Sequence, residues 1–243
     1  MKTNSLFLFT ILFMFFGLNV FAQTGTDSLT TDKGTLKITY QGWSSVLIEF
    51  NNKVIYVDPA FVTNDYLSGP KADFIFITHS HYENLNMGIL RKIVQKGTNI
   101  IANKECAEIL NNDIEGAKIT TTVNNKTYTI NGLKFNTVPA YNMAGEKIYH
   151  KKGDNNGFIF EFGNVKVFIA GDTENIPELK ELKNIDIAFL PICRPYAMDA
   201  DMFVDLVNSF KPKIVYPYHY DKKELEKLKK LFEGITDVEL RVR

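Results

Sequence analysis

From residue 34 onward, the apolar positions of the chain fall into short alternating or continuous runs separated by helical spacing. Leu36 to Tyr40, Val46 to Phe50 and Val54 to Val57 are β-rich, and Asn51-Asn52 between the last two favours a two-residue hairpin. Phe74 to Thr78 is an apolar run without alternation, the pattern of a strand covered on both faces. Met87 to Gln95 has helical spacing, Ile100-Ile101 starts another strand, and a helix is expected around Glu105 to Leu110. Lys118 to Thr122, Thr127 to Ile130 and Leu133 to Val138 read as a β-meander with turns at Asn124-Asn125 and Asn131-Gly132. The last third repeats the logic. Strands are expected at Phe158 to Phe162, Val165 to Ala170, Ile187 to Leu190 and Ile214 to Tyr218, with helices near Pro177 to Leu182 and Asp199 to Phe210. Lys222 to Phe232 is amphipathic, with Leu225, Leu228, Leu231 and Phe232 on one side and lysines on the other. Two β-rich halves with attached helices predict two sheets packed face to face, with the helices outside, in a single domain.

The ends of the chain change this picture. Lys2 precedes an almost unbroken Leu, Phe and Ile run from Leu6 to Phe16, and Val20-Phe21-Ala22 closes it on a small residue, so residues 1–22 read as a secretory signal peptide cut after Ala22. The run is shorter than the roughly 20 residues a bilayer needs, and no stop-transfer charges follow. A periplasmic or secreted protein without a stable membrane anchor is expected. Residues 23–33, rich in Thr, Asp and Ser without periodicity, read as a flexible leader, and the domain is expected over 34–243.

Composition then narrows the partners. With 45% hydrophobic and 23% charged residues the chain can form one sizeable core. Removing residues 1–22 takes away one lysine and no acid, leaving a nearly balanced charge that does not favour nucleic acid or anionic membrane surfaces. Cys106 and Cys193 are the only cysteines, and their contexts do not suggest a bridge.

Chemistry concentrates at strand ends. There are four histidines, and two stand together in Thr78-His79-Ser80-His81, just beyond the apolar run. Imidazoles at i and i+2 point to one side and can grip one ion. Val167 to Ala170 runs into Gly171-Asp172-Thr173, and Ile214 to Tyr218 into His219. Each has an ordinary reading, Asp172 as a turn cap and His219 as a loop hydrogen-bonder, but three such strands ending in metal ligands point to a shared site.

Tyr40-Gln41-Gly42, Val57-Asp58-Pro59, Thr78-His79-Ser80-His81, Val138-Pro139-Ala140-Tyr141-Asn142, Gly171-Asp172-Thr173, Leu190-Pro191, Met198-Asp199 and Pro217-Tyr218-His219-Tyr220 together resemble the metallo-β-lactamase superfamily, in the branch of ascorbate-phosphate lactonase-like zinc hydrolases. The resemblance implies an α/β fold, a four-layer αββα sandwich with a metal cleft at one edge between the sheets. The superfamily signature His-x-His-x-Asp-His reads here His79, Ser80, His81, Tyr82, Glu83, Asn84. The resemblance implies His79 and His81 as ligands of a first ion, Asp172 as a bridge and His219 as part of a second site. That second site is weakened by Glu83 and by Asn84, whose amide oxygen suits zinc or iron poorly. His150 matches a His-Pro-Lys-Gly segment of this branch and is a candidate to complete the first site, with Asn142 the alternative. One zinc ion is expected, with manganese or iron possible.

The implied reaction is attack by a metal-activated water on an ester, lactone, amide or phosphodiester of a small molecule. Glu83 is the candidate general base and Asp172 orients the attacking group. The competing class is a non-catalytic binding or scaffold protein that kept the fold. Trp43, where relatives carry His, is read as a core residue, the alternative being an aromatic wall of the cleft. Asp58 either orients a ligand histidine or starts a turn before Pro59. Arg194 stands in a loop expected to rim the cleft, where it would suit an anionic substrate group, the ordinary reading being a solvated arginine.

Overall fold

A computed structural model describes residues 25–59, 69–110, 113–143 and 147–243. The expected signal peptide, residues 1–22, lies outside the described residues. The first sheet takes β1 (Thr26–Thr31), β2 (Gly34–Gly42), β3 (Ser45–Phe50), β4 (Lys53–Val57), β5 (Ala72–Ile77), β6 (Val94–Ala102) and β7 (Lys118–Thr121) in sequence order. The second takes β8 (Thr127–Ile130), β9 (Leu133–Ala140), β10 (Asn155–Phe162), β11 (Val165–Ile169), β12 (Ile187–Ile192), β13 (Ile214–Tyr220) and β14 (Glu239–Leu240), again in order. In both sheets the first strands pair antiparallel, through tight turns except between β9 and β10, and the last pair parallel. Parallel neighbours need crossovers. In the first sheet α1 (Met87–Ile93) links β5 to β6 and α2 (Lys104–Leu110) links β6 to β7; in the second, α3 (Pro177–Lys180), α4 (Ala200–Phe210) and α5 (Lys222–Phe232) supply the three crossovers.

The layers follow from which side of each strand is apolar. Phe74 and Phe76 of β5 join Phe135, Phe158 and Phe160 between the sheets, while Ile75 and Ile77 of the same strand pack outward with Ile89, Leu90 and Leu110 of the helices. This double burial explains the unbroken apolar run. On the opposite outer face Phe168, Ala188 and Val215 pack with Phe203, Leu206 and Leu228. The four-layer αββα sandwich is therefore the observed architecture. Leu231, assigned to the apolar side of α5, is in fact exposed. Among the described residues no helix is long and apolar enough to cross a membrane.

Two local expectations are corrected. Residues 118–138 do not form a meander: β7 pairs parallel with β6 at the edge of the first sheet, and only β8 and β9 form a hairpin, in the second. Asn124-Asn125 is the crossing point, where Asn124 Nδ2 donates to the Asn155 carbonyl at 2.8 Å and Asn125 N to the Thr137 carbonyl at 3.0 Å. Nor is the stretch from Thr26 to Lys33 a free leader ahead of a domain starting at Gly34. β1 pairs with β2, Leu29 packs on the core, and Asp27 accepts hydrogen bonds from Tyr216 Oη and, at 2.7 and 2.9 Å, from Arg243 Nη2. One apolar residue in Thr26–Thr31 gave little periodicity, because long-range pairing rather than its own pattern makes this strand.

Candidate metal centre

The side chains of the centre hang from strand ends at one edge of the sandwich. Asp58 follows β4, His79 and His81 follow β5, Asn142 and His150 follow β9, Asp172 follows β11, and His219 lies near the end of β13. Gly171 lets two of these loops meet: its φ is +67° and a Cβ there would stand 3.0 Å from Thr78 Cβ. Its N–H donates to the buried Tyr218 hydroxyl at 2.8 Å. Trp43, Asp58 and His219 all have positive φ, at 52°, 47° and 45°. Left-handed backbone is unusual for residues of this bulk and marks the edge as a constrained region.

Three imidazoles form a triangle, with centroids 4.7 Å apart for His79 and His81 and 4.9 Å for each of the other two pairs. Asp172 closes the group, its Oδ2 lying 3.7 Å from His79 Nε2 and 3.8 Å from His150 Nε2. One potential ligand atom from each of His79, His81, His150 and Asp172 lies within 4.8 Å of the others. Donors at the 2.0–2.2 Å usual for zinc stand about 3.4 Å apart on a tetrahedron, so a small contraction suffices. His79 Nε2, His150 Nε2 and Asp172 Oδ2 are buried and have no hydrogen-bond partner. Orphaned buried donors and acceptors are rare. Three of them aimed at one another fit a cation better than any packing role.

The far sides of these rings fix which nitrogen is bare. Thr78 Oγ1 donates to Asp58 Oδ2 at 2.7 Å, so its lone pair receives the His79 Nδ1 proton at 2.8 Å. His150 Nδ1 lies 3.0 Å from the Tyr196 carbonyl and 3.2 Å from Asn142 Oδ1. Both are acceptors, so Nδ1 carries the proton and Nε2 is free to ligate. Burial depresses the His79 pKa to about 3, and lowers that of His150 as well, keeping both rings neutral. Burial pushes Asp58 up to about 7 against the hydrogen bonds from Thr78 and Asn84. Burial also works against Asp172, but His219 outweighs it and holds the carboxyl well below the usual range.

Not every expected residue joins the group. His219, expected as a ligand, stands behind Asp172, with Nδ1 2.6 Å from Asp172 Oδ1. Asn142, the alternative to His150, instead orients it, accepting from His150 N at 2.9 Å. Glu83 lies beside His81, with Oε1 3.8 Å from Nδ1. Asn84 is buried and turned to Asp58 and Ser44. Asp58 reaches His79 through Thr78, a residue whose part the sequence signals only by its place between the apolar run and the histidine. The Tyr196 carbonyl has no sequence signal. Trp43, expected in the core, is half-buried with its ring 4.7 Å from that of His219, and it is neither in the apolar core between the sheets nor in the lining of the cavity at the histidines. Arg194 is not free for an anion: Nη1 donates to buried Glu174 Oε1 at 2.9 Å, and Asp199 lies 3.6 Å away. Cys106 and Cys193 are both free and buried.

His79, His81 and His150 open onto a cavity of about 280 Å³ with Ser80, Glu105, Tyr149, Lys151, Asp154 and Asn155. A larger hollow of about 570 Å³ is lined by Lys166, Lys180, Lys183, Lys211 and Lys213, yet it gathers no metal-ligand set. Chemistry rather than size identifies the site.

A family profile described as the beta-lactamase superfamily domain matches residues 37–219. The chain belongs to the metallo-β-lactamase superfamily. Within this superfamily it is similar to a metal-dependent hydrolase from Nanoarchaeum equitans (strain Kin4-M), 33% identical over 196 residues that cover 76% of this chain and 84% of that protein. A crystal structure of a candidate metal-dependent hydrolase from Parabacteroides distasonis superposes with a TM-score of 0.83 at 37% identity, covering 91% of this chain and 99% of the other. Igni18, a metallo hydrolase from Ignicoccus hospitalis, shares the superfamily fold at 24% identity with a TM-score of 0.70, covering 86% and 94%.

Proposed function

We propose that this superfamily member is an exported, metal-dependent hydrolase that opens an ester, lactone or phosphodiester bond in a small molecule, using zinc held by His79, His81, His150 and Asp172. The observation that carries the proposal is the convergence of the unpartnered His79 Nε2, His150 Nε2 and Asp172 Oδ2 on one point beside His81. Three imidazoles and one carboxylate match the ligand preferences of zinc. Two similar proteins that carry the description metal-dependent hydrolase support the reaction class.

A divalent ion in this position supplies Lewis acidity and lowers the pKa of water toward about 7. The protein's part is orientation. Thr78 and Tyr196 keep His79 and His150 in the Nε2-bare tautomer, and His219 keeps Asp172 ionised with Oδ2 turned inward. Glu83, partly buried beside His81, is the carboxylate proposed to take the proton from the attacking water. Lys151, at the cavity mouth, is the cation available to an anionic substrate group in place of Arg194. Export rests on residues 1–22, with cleavage after Ala22 expected to release a periplasmic or secreted protein.

The test is elemental analysis of mature protein purified without chelator, followed by hydrolysis assays on lactone and phosphodiester panels. Bound metal with turnover that disappears in both His79→Ala and Asp172→Ala is the expected result. Stoichiometry near zero with zinc, manganese and iron all offered favours the non-catalytic scaffold instead. N-terminal sequencing of protein recovered outside the cytoplasm tests export, and an intact Met1 would refute it.

A further inference from the structure

The resemblance of the sequence to the superfamily implies a second ion, held by the positions of Glu83, Asn84 and His219 and bridged by Asp172. The residues present do not fit it. Asp172, the expected bridge, turns Oδ2 to the first site, while its Oδ1 meets His219 Nδ1 at 2.6 Å, so the histidine expected to hold the second ion is hydrogen-bonded to the carboxylate instead. His219 cannot easily turn away: its backbone N donates to the Trp43 carbonyl at 2.8 Å and its ring lies against the Trp43 ring. Asn84 turns its amide nitrogen to Asp58 Oδ2 at 3.0 Å and Ser44 Oγ at 3.1 Å, which leaves its buried, unpartnered Oδ1, a neutral amide oxygen that suits zinc poorly, as the one atom it could offer. Glu83 sits beside His81. Among the described residues, the one cluster of three or more His, Cys, Asp or Glu side chains with converging ligand atoms is that of His79, His81, His150 and Asp172.

We propose that Asn84 and His219 are positioning residues that replace the second metal ion, so that the centre takes one ion only. The proposal rests on the metal site proposed above. Two chains of contacts carry it. Asn84 holds Asp58, Asp58 holds Thr78 through Oδ1 to N at 2.8 Å and Oδ2 to Oγ1 at 2.7 Å, and Thr78 holds His79. On the other side Trp43 holds His219, and His219 holds Asp172. Each chain ends on a donor of the single site. The space in which a second ion would sit is thereby spent on aiming the ligands of the first. Replacing such a partner of a metal ligand weakens metal binding by about 10–100-fold.

The decisive experiment strips metal from the mature protein, titrates it with Zn²⁺ by calorimetry, and counts zinc per chain after gel filtration. Fluorescence of Trp43, the sole tryptophan, follows the same titration at the His219 ring. Native protein is expected to bind one zinc. Asn84→Ala and His219→Ala are expected to keep that count while weakening the site by about 10–100-fold, and His219→Asn, whose amide can still donate to Asp172, recovers most of the loss. Asn84→His combined with Glu83→Asp is expected to raise the count toward two. Two zinc ions in the native protein, falling to one in His219→Ala without weakening the other, would overturn the proposal and leave the hydrolase reading intact. No zinc in the native protein would overturn that reading as well. The native count and the His219→Asn affinity decide the matter even if Asn84→Ala does not fold.

Discussion

His150 and His219 are both buried imidazoles at the same edge of the sandwich, and both spend Nδ1 on an oxygen, yet they end in opposite states. The Nδ1 of His150 meets the neutral Tyr196 carbonyl, so burial wins and the ring stays neutral with a bare Nε2. For His219 burial also favours the neutral ring, but the Asp172 carboxylate at 2.6 Å overrides it and raises the pKa to about 10. Here the neutral acceptor goes with a lowered pKa and a bare Nε2, and the charged one with a raised pKa. The same contrast separates the two sides of the cleft, one presenting lone pairs and the other hydrogen-bonded into a block.

Removing a member of the first side breaks the comparison most severely. His150→Ala is expected to abolish metal retention, with zinc content falling to background by elemental analysis, because one of only four donors disappears. Retention of stoichiometric zinc would mean that His150 is a packing residue. Next in size is Thr78→Val, nearly isosteric but unable to accept the His79 Nδ1 proton or to donate to Asp58. The loss of this contact is expected to weaken zinc binding by about 10–100-fold in a competition titration without unfolding the protein. An unchanged affinity would show that packing alone orients His79.

Chelation gives a smaller effect, read in stability. If free zinc is about 100 times its dissociation constant, binding contributes about 2.7 kcal/mol to the folded state. For a chain of this length that corresponds to a fall of roughly 5–11 °C in Tm when the ion is removed. The Thr78→Val protein should show a smaller fall at the same zinc concentration, and an equal fall would argue against its weakened site.

What the sequence disclosed divides along the range of the interactions involved. Local patterns placed β5, α5 and the Asn51-Asn52 and Asn131-Gly132 hairpins, because side-chain periodicity and the left-handed backbone of Asn act within a few residues. The position of His79 and His81 beyond β5 was legible for the same reason. The crossing of the chain between sheets after β7 was not, since β7 takes its partner from β6, on the far side of α2, rather than from the strand that follows it. Glu83 and Asn84 could be read directly as departures, but where Asn84 turns depends on Asp58 and Ser44, 26 and 40 residues distant. Where His219 turns depends likewise on a contact 47 residues away, with Asp172.

Arg194 gives the mildest test, and the one that bears on substrate. From sequence it is a cation at the rim; in the structure its Nη1 neutralises Glu174, which is almost fully buried and whose Oε2 accepts from Met143 N at 2.8 Å. Met143 adjoins Asn142, the residue that holds His150. The guanidinium thus braces the segment behind a ligand, and since it is 38% exposed the pair is discounted to about 1 kcal/mol. Arg194→Ala is accordingly expected to lower Tm by roughly 2–4 °C, while KM for anionic substrates stays within about twofold. Lys151→Ala, at the cavity mouth, should do the reverse, raising KM for those substrates and leaving Tm unchanged. A rise in KM in Arg194→Ala with no change in Tm would return the arginine to the substrate side of the cleft.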